Sequence, residues 1–479
     1  MTITSYFLLS ILYFWAGSTA LSFGVGYYTI YRPVIAGFLT GLILGDPFSG
    51  MAAGAVVNII YIDFASTGGS FNADQCLTAI IAAAAAVIIG LPPVEAAAAA
   101  YPFGFLGILI WKYRLNINSV FVKEYEKKFE EGKNPDISIY DGLYPQLILY
   151  IMSAAVIVVA AVVLILLKDF IYDIRNVLFL AGLFLVYTSV WNIIYKPDSK
   201  KNILIFMAAL LITAAINVDS YIIFIIASAG IFIFSNKKLL SAKYEKKNKC
   251  GIIDKKDLIY SWFIWMNFSH SCYSYERLQG MAFAHSMKNI AKKLYDSSEE
   301  IAKVIHRHSG FFNTEPNVGT PIHGYIISLE EKQLNNKDDN GIMYIKKGMM
   351  GIAAGLGDSY TQVVLAPIFI SLSVMLCLDK NYMLALLPMI MLPLAILVIS
   401  YTGFMKGYYE GKESLIERIN IIKNSKIKLY FPYIFAGILG VSIGKLILLS
   451  GNITEGLTIH AAIGIISIVY TMVKKRSLN

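Results

Sequence analysis

Charge is the first thing this sequence lacks. Asp, Glu, Lys and Arg make up 15% of its 479 residues, against 57% hydrophobic residues and a mean hydropathy of +0.60. A soluble domain carries roughly 25% charged residues, so lipid is the expected solvent. Cysteine is scarce as well. Cys76, Cys250, Cys272 and Cys377 form no CxxC pair and no metal-type spacing, which argues against a disulfide framework or a zinc site. The histidines (His270, His285, His306, His308, His323 and His460) fall in no HExxH arrangement, and a lone histidine is usually structural. The glycine-rich stretch 348–358 lacks the Lys-Ser/Thr ending of a P-loop. No nucleophile, metal or cofactor site stands out, and none is expected. No Lys or Arg precedes the first apolar run and no small-residue cleavage site follows it, which favours a retained first membrane segment over a cleaved signal.

What is present is a series of apolar runs: 147–167, 202–216, 221–234, 363–378, 383–400, 433–449 and 457–473. A helix needs about 17–25 apolar residues to cross a bilayer, so the shorter runs draw on their flanks. The formal net charge is +9. Its lysines and arginines sit between apolar runs, in 112–133, 196–201, 237–256, 406–428 and the tail Lys474-Lys475-Arg476. Two hairpins flanking 406–428, and four helices between 147 and 235, place all of these segments on one side, as the positive-inside rule requires. The charge therefore reports topology, and no nucleic-acid partner is expected.

The chain divides into a membrane part rich in Gly and Ala (1–236), a basic cytoplasmic linker (237–257) and a second part (258–479). The second part opens with a polar, amphipathic helical region (258–347) and closes with membrane helices (348–479). The expected fold class is all-α: a polytopic membrane protein with broken or re-entrant helices and an interfacial helical region. The broken helices come from 34–44, 51–62 and 77–91, where Gly, Pro and Asp interrupt short apolar stretches. Eleven residues of α-helix rise about 17 Å, short of a hydrocarbon core of about 30 Å. Discontinuous helices persist at that depth where protein or a wet cavity satisfies their backbone, and they often build transporter sites. Tilted helices kinked at glycine are the plainer reading.

Polar residues gather in three places. Asn58, Asp63, Asn72, Asp74 and Gln75 punctuate the broken region; carboxylates there are expected to face a cavity or a partner, although Asp74 and Ser70 are also good N-caps for the helix at Leu77. Tyr273, Glu276, Arg277 and Gly280 would share a helical face, with Gln279 beside them, and the Glu276–Arg277 neighbours would equally serve as ion-pair partners for other residues. Gly351, Ala354, Gly355 and Gly357 would allow close helix contact, after which Asp358 caps or lines the next segment. The stretch 328–340 reads as a polar surface loop.

Read together, these blocks resemble the mannose (mannose/fructose/sorbose/N-acetylgalactosamine) family of phosphotransferase-system permeases, with its IIC and IID components in one chain. Arg32-Pro33, Gly41 to Asp46, Gly54 to Asn58, and Gly68-Gly69-Ser70 with Asp74 resemble IIC. Tyr275-Glu276-Arg277-Leu278-Gln279, Lys293-Leu294-Tyr295, His308 with Phe311 to Pro316, Leu329-Glu330-Glu331, Lys347 to Gly351 and Ala354 to Asp358 resemble IID. The match is weakest over 110–235 and after 405. There are departures. The family usually has Glu or Gln at Asn58, Pro at Ala73, Trp-Asn at Tyr273-Ser274, Pro at Ile352 and often Arg at Ala366.

The resemblance implies a hexose or amino sugar bound in a membrane cavity shared by the two parts. It implies transport inward across the bacterial cell membrane and phosphorylation by a separate cytoplasmic IIB charged by IIA. It also implies a homotrimer in membrane lipid, and no phosphoryl-acceptor site on this chain. Sugar contacts are expected from Asn58, Asp74, Glu276 and Gln279, and further from Asp63, Arg277 and Asp358. An ion-coupled secondary sugar transporter using Asp63 and Asp74, or a sugar sensor that does not transport, are the alternatives.

Overall fold

The computed structural model describes residues 2–20, 22–62, 73–195, 200–234, 251–333, 339–424, 426–449 and 453–477. Among them secondary structure is helical, apart from isolated bridges joining Leu278 to Ser274 and Phe312. Among the described residues, seven helices are long and apolar enough to cross a membrane. They include Arg175–Ile194 and a continuous segment Pro93–Glu130, neither of which stands out as an apolar run. On the Ile139–Leu166 span, Leu147, Ile151, Val158, Val162 and Leu166 are exposed at helical spacing, a stripe that fits contact with lipid rather than water.

The broken region forms short helices as expected: Pro33–Leu44, Pro47–Ile60 and Gln75–Ala84, the last running into a π-helical turn at Ala85–Ile89. Local chemistry sets their ends. Pro33 and Pro47 occupy first helical positions, where no amide donor is needed. Gly45 ends the first helix in the left-handed region (φ 104°), and Asp46 caps the next by accepting from the Ser49 amide at 3.0 Å. A β-carbon at Gly37 would strike the Gly50 carbonyl, so these two helices touch backbone to backbone. Gly50 through Ile60 are all buried. This apolar hairpin is therefore solvated by protein, which is what allows helices too short to span.

Within the described part of the linker, Asp254 caps the helix Lys255–Phe268, which leads into the second part, in a reciprocal capping box. Helices Gly280–Leu294, Ser298–His308 and Thr320–Gln333 follow. Asp339–Tyr360 then continues through a π-helical turn, Thr361–Leu365, into Ala366–Leu378. The helix therefore crosses residue 348 without interruption. The two parts are packed together: Ile427–Leu449 lies along Lys200–Ile216, Ile453–Ser477 along Arg175–Ile194, and Ala366–Leu378 against Pro47–Ile60.

Three local expectations are corrected. The segment 269–279 is not helical. Leu278 has a positive φ of 49°, and the chain turns back to bridge Phe312, so Tyr273, Glu276, Arg277 and Gly280 do not share a helix face. Serines at 269, 271 and 274 offer the backbone alternative hydrogen bonds, and the Ser274 hydroxyl accepts from the Arg277 amide at 3.3 Å. Residues 328–333 belong to a helix, not a surface loop. Glu330 is buried there because Arg307 donates both to its Oε1 at 2.6 Å and to its Oε2 at 2.7 Å, with His308 Nε2 at 2.7 Å. Finally, Gly351 and Gly355 have open space where a β-carbon would stand, while Gly357 packs against Glu315 and Val318. Asp358 lies inside its helix and caps nothing.

This contrast is testable by thermal unfolding of the purified chain in one detergent. Gly351→Ala should stabilise by about 0.5–1 kcal/mol, the usual gain of Ala over Gly within a helix. Gly357→Ala should destabilise by about 1–3 kcal/mol through overpacking against Glu315. A Gly357→Ala protein as stable as wild type would refute the close packing.

Candidate functional site

The long helix Gly104–Glu130 joins the two parts. Its first half is apolar and carries Trp111 and the buried Arg114. Its second half is charged and ends in Lys127 and Lys128, favourable at a helix C-terminus. Where segment 269–279 leaves helical geometry, its carbonyls lose their intrahelical partners. Arg114 Nη2 donates to the carbonyls of His270 (2.5 Å) and Ser271 (3.0 Å). Asn118 Nδ2 donates to those of Ser271 (3.2 Å) and Tyr273 (2.9 Å). Lower on the same helix Ser119 donates to Glu276 at 2.5 Å, and Glu126 pairs with Arg277. Glu276 and Arg277 thus fasten the second part to the first.

Gln279 holds a second irregular segment. Its Nε2 donates to the Thr314 carbonyl and its Oε1 accepts from the Thr314 amide, both at 2.9 Å, while its own amide donates to the Phe312 carbonyl at 2.9 Å. Beyond Thr314, the Glu315 carboxylate accepts from the Asn317 amide (3.0 Å), the Val318 amide (2.5 Å), the Asn317 side chain (2.9 Å) and Tyr28 (3.2 Å). Segment 313–317 is held in one shape by these contacts.

Between the two irregular segments and the first part lies a cavity of roughly 170 Å³. Asp74, Trp111 and Tyr28 line it from the first part, and Tyr273, Glu315 and Asp358 from the second. Asp74 caps its helix through the Leu77 amide (2.9 Å) and accepts from Tyr13 (2.8 Å), so capping and cavity lining coexist. Asp358 is half-buried and makes no hydrogen bond or ion pair among the described residues. The hydroxyls of Thr19, Tyr27 and Thr314 and the side-chain carbonyl of Asn317, all on this cavity, are buried without a hydrogen-bond partner among the described residues. Trp111 and Tyr273 present tilted rings 6.2 Å apart on one wall.

Of the residues expected to contact sugar, Asp74, Gln279 and Asp358 line this cavity, although the Gln279 amide is occupied by backbone. Glu276 and Arg277 do not line it. Asn58 lies on a second cavity, its Oδ1 accepting from the Val34 amide at 3.0 Å. Asp63 lies outside the described residues. Trp111, Arg114, Asn313, Glu315 and Asn317 are site residues that the sequence reading did not single out. The cluster Asn313-Thr314-Glu315-Pro316-Asn317, polar and placed between apolar helices, was the available signal.

Residues 3–233 match the family profile of the PTS system sorbose-specific IIC component, and residues 252–469 that of the PTS system mannose/fructose/sorbose family IID component. The putative N-acetylgalactosamine permease IIC component 2 of Escherichia coli (strain K12) is 31% identical over 97 residues, 20% of this chain and 71% of that protein. The chain belongs to the mannose/fructose/sorbose family of phosphotransferase-system permeases. Its IIC-type and IID-type components follow one another in one polypeptide. Within the family, the fructose permease IID component of Bacillus subtilis (strain 168) is 34% identical over 165 residues, 34% of this chain and 60% of that protein. The mannose-specific EIID component of E. coli (strain K12) is 35% identical over 152 residues, 31% of this chain and 54% of that protein. The chain thus spans 54–60% of the length of these two IID relatives. Among solved structures, a cryoEM complex of the mannose transporter ManYZ with microcin E492 is 30% identical, with a TM-score of 0.32, covering 42% of this chain and 71% of that one.

The Gln279 clamp generates a direct test. In Gln279→Glu a carboxylate oxygen replaces the NH2 that donates to the Thr314 carbonyl, leaving two acceptors facing each other. The substitution should cost about 1–3 kcal/mol, the penalty of an unsatisfied buried group, and should lower the melting temperature of the purified chain. An unchanged melting temperature would show that the clamp does not hold the segment.

Proposed function

We propose that this permease binds a hexose or amino sugar in the cavity between its IIC-type and IID-type parts and carries it across the bacterial membrane. A separate cytoplasmic IIB, charged by IIA, then phosphorylates the sugar. The observation that carries this reading is the unpartnered polar lining of a cavity walled by both parts. A buried hydroxyl or amide with no partner costs about 1–3 kcal/mol, and a ligand with many hydroxyls relieves it without introducing charge. Asp358 supplies a free acceptor, while the Trp111 and Tyr273 rings offer apolar surface for the carbon face of a pyranose. The volume is below the roughly 300–1,000 Å³ of pockets for drug-sized ligands, which favours a monosaccharide over an oligosaccharide. Phosphorylation makes the sugar anionic and traps it inside, so uptake needs no ion gradient. Assembly of three such chains in the membrane is part of the same reading.

The test is uptake of a labelled hexose panel into vesicles containing the full chain, with and without IIA, IIB, the general phosphotransferase proteins and phosphoenolpyruvate. Sugar phosphate should accumulate only in the complete system. Asp358→Asn should weaken apparent affinity about 10- to 100-fold, as loss of a hydrogen bond to a charged acceptor removes about 1.5–3 kcal/mol. Gradient-driven uptake of unmodified sugar would contradict the reading in favour of a secondary transporter, and binding without uptake would favour a sensor.

A further inference from the structure

A second cavity, of roughly 370 Å³, lies at ends of the short helices and shares Gln362 with the first, but differs from it in its chemistry. Arg32, Asn58, Gln75, Asn192 and Gln362 contribute its polar lining, and no carboxylate is among its described lining residues. Arg32 is 5% exposed and Gln75 1% exposed, yet the Arg32 Nε and the Gln75 Nε2 are buried without a hydrogen-bond acceptor among the described residues. Arg32 has no ion pair there. Its guanidinium stands 4.5 Å from the ring centroid of Tyr27, a contact that satisfies none of its hydrogen-bond donors. Asn58 uses its carbonyl oxygen on the Val34 amide, and its NH2 makes no hydrogen bond among the described residues.

The backbone adds to this. Arg32 is the N-cap of Pro33–Leu44 and Gln75 the first residue of Gln75–Ala84, so both N-termini border the cavity; Asn58 already accepts from the Val34 amide and the Asp74 carboxylate caps the second helix, which leaves the Arg32 guanidinium as the positive group there. A buried guanidinium without an anion is costly, and an arginine fork matches the geometry of a phosphate oxyanion. The cavity is also lined by apolar side chains, among them Ile370, Phe431 and Phe435. We propose that this cavity binds the phosphoryl group of an organic phosphate, with Arg32 as the counter-charge and Gln75 and Asn58 as neutral donors. Two sources share that chemistry: the headgroup of an anionic phospholipid and a soluble phosphate monoester. The site stands on its own geometry, whether or not the first cavity takes a sugar.

The test uses the purified full chain in nanodiscs of pure phosphatidylcholine. Glucose 6-phosphate is titrated by thermal shift with glucose as the control, and phosphatidylglycerol is added against phosphatidylcholine in native mass spectrometry. Saturable binding of glucose 6-phosphate but not glucose would identify a soluble ester; selective retention of phosphatidylglycerol would identify the lipid. In either case Arg32→Gln should weaken binding by at least about tenfold, the loss of one charge-assisted contact, and Arg32→Lys should recover part of it. Gln75→Glu places a carboxylate in the cavity and should abolish binding, which keeps the test decisive if Arg32→Gln does not fold. Absence of saturable binding by both probes, or unchanged affinity in Gln75→Glu, would overturn the proposal.

Discussion

Buried in protein, a carbonyl freed from a helix has no water to bond, and the whole arrangement depends on how this chain satisfies three of them. Arg114 and Asn118, on the long helix of the first part, donate to the carbonyls of His270, Ser271 and Tyr273 in the second. These bonds permit the break at 269–279. The break in turn sets Gln279 at the start of the next helix, from which its amide grips segment 313–317. The cavity exists because both segments are irregular yet fully held. Since donors and acceptors come from different parts, neither part has this wall alone.

The short helices obey the same rule from the other direction. Pro33–Leu44 and Pro47–Ile60 do not reach across a bilayer, but glycine contacts bring them together and their ends at Arg32 and Asn58 border a cavity, while the turn between them, with Leu42 and Phe48, is exposed. Lipid exposure is left to long helices such as Tyr144–Leu166. Small residues inside and large aliphatic residues outside are the reverse of what water would select, and they follow from packing being the main attraction between helices in lipid.

Much of this was legible in the sequence. Composition sufficed for the membrane class, and interruptions at Gly45, Asp46 and Pro47 sufficed for the broken helices, because caps and prolines act locally. The family emerged from ordered blocks along both parts. What stayed hidden depended on distant partners. Glu276 and Arg277 look like site residues until Ser119 and Glu126, more than a hundred positions away, are seen to hold them. Glu330 reads as surface charge until Arg307 and His308 surround it. Trp111 carried no local pattern that separated a cavity wall from ordinary core, and Glu315 only its place in the polar cluster 313–317. The departures from the family at Asn58 and Ala366 fall on the second cavity and that at Tyr273 on the first.

The central claim is that one cavity, built jointly by both parts, holds the sugar. A cryoEM structure of the full chain in nanodiscs, determined with a saturating hexose that the vesicles take up, tests it most directly. The account predicts sugar density against the wall formed by the Trp111 and Tyr273 rings, with a hydroxyl on the Asp358 carboxylate. Density enclosed by residues of only one part, or in the cavity beside Arg32, would contradict it.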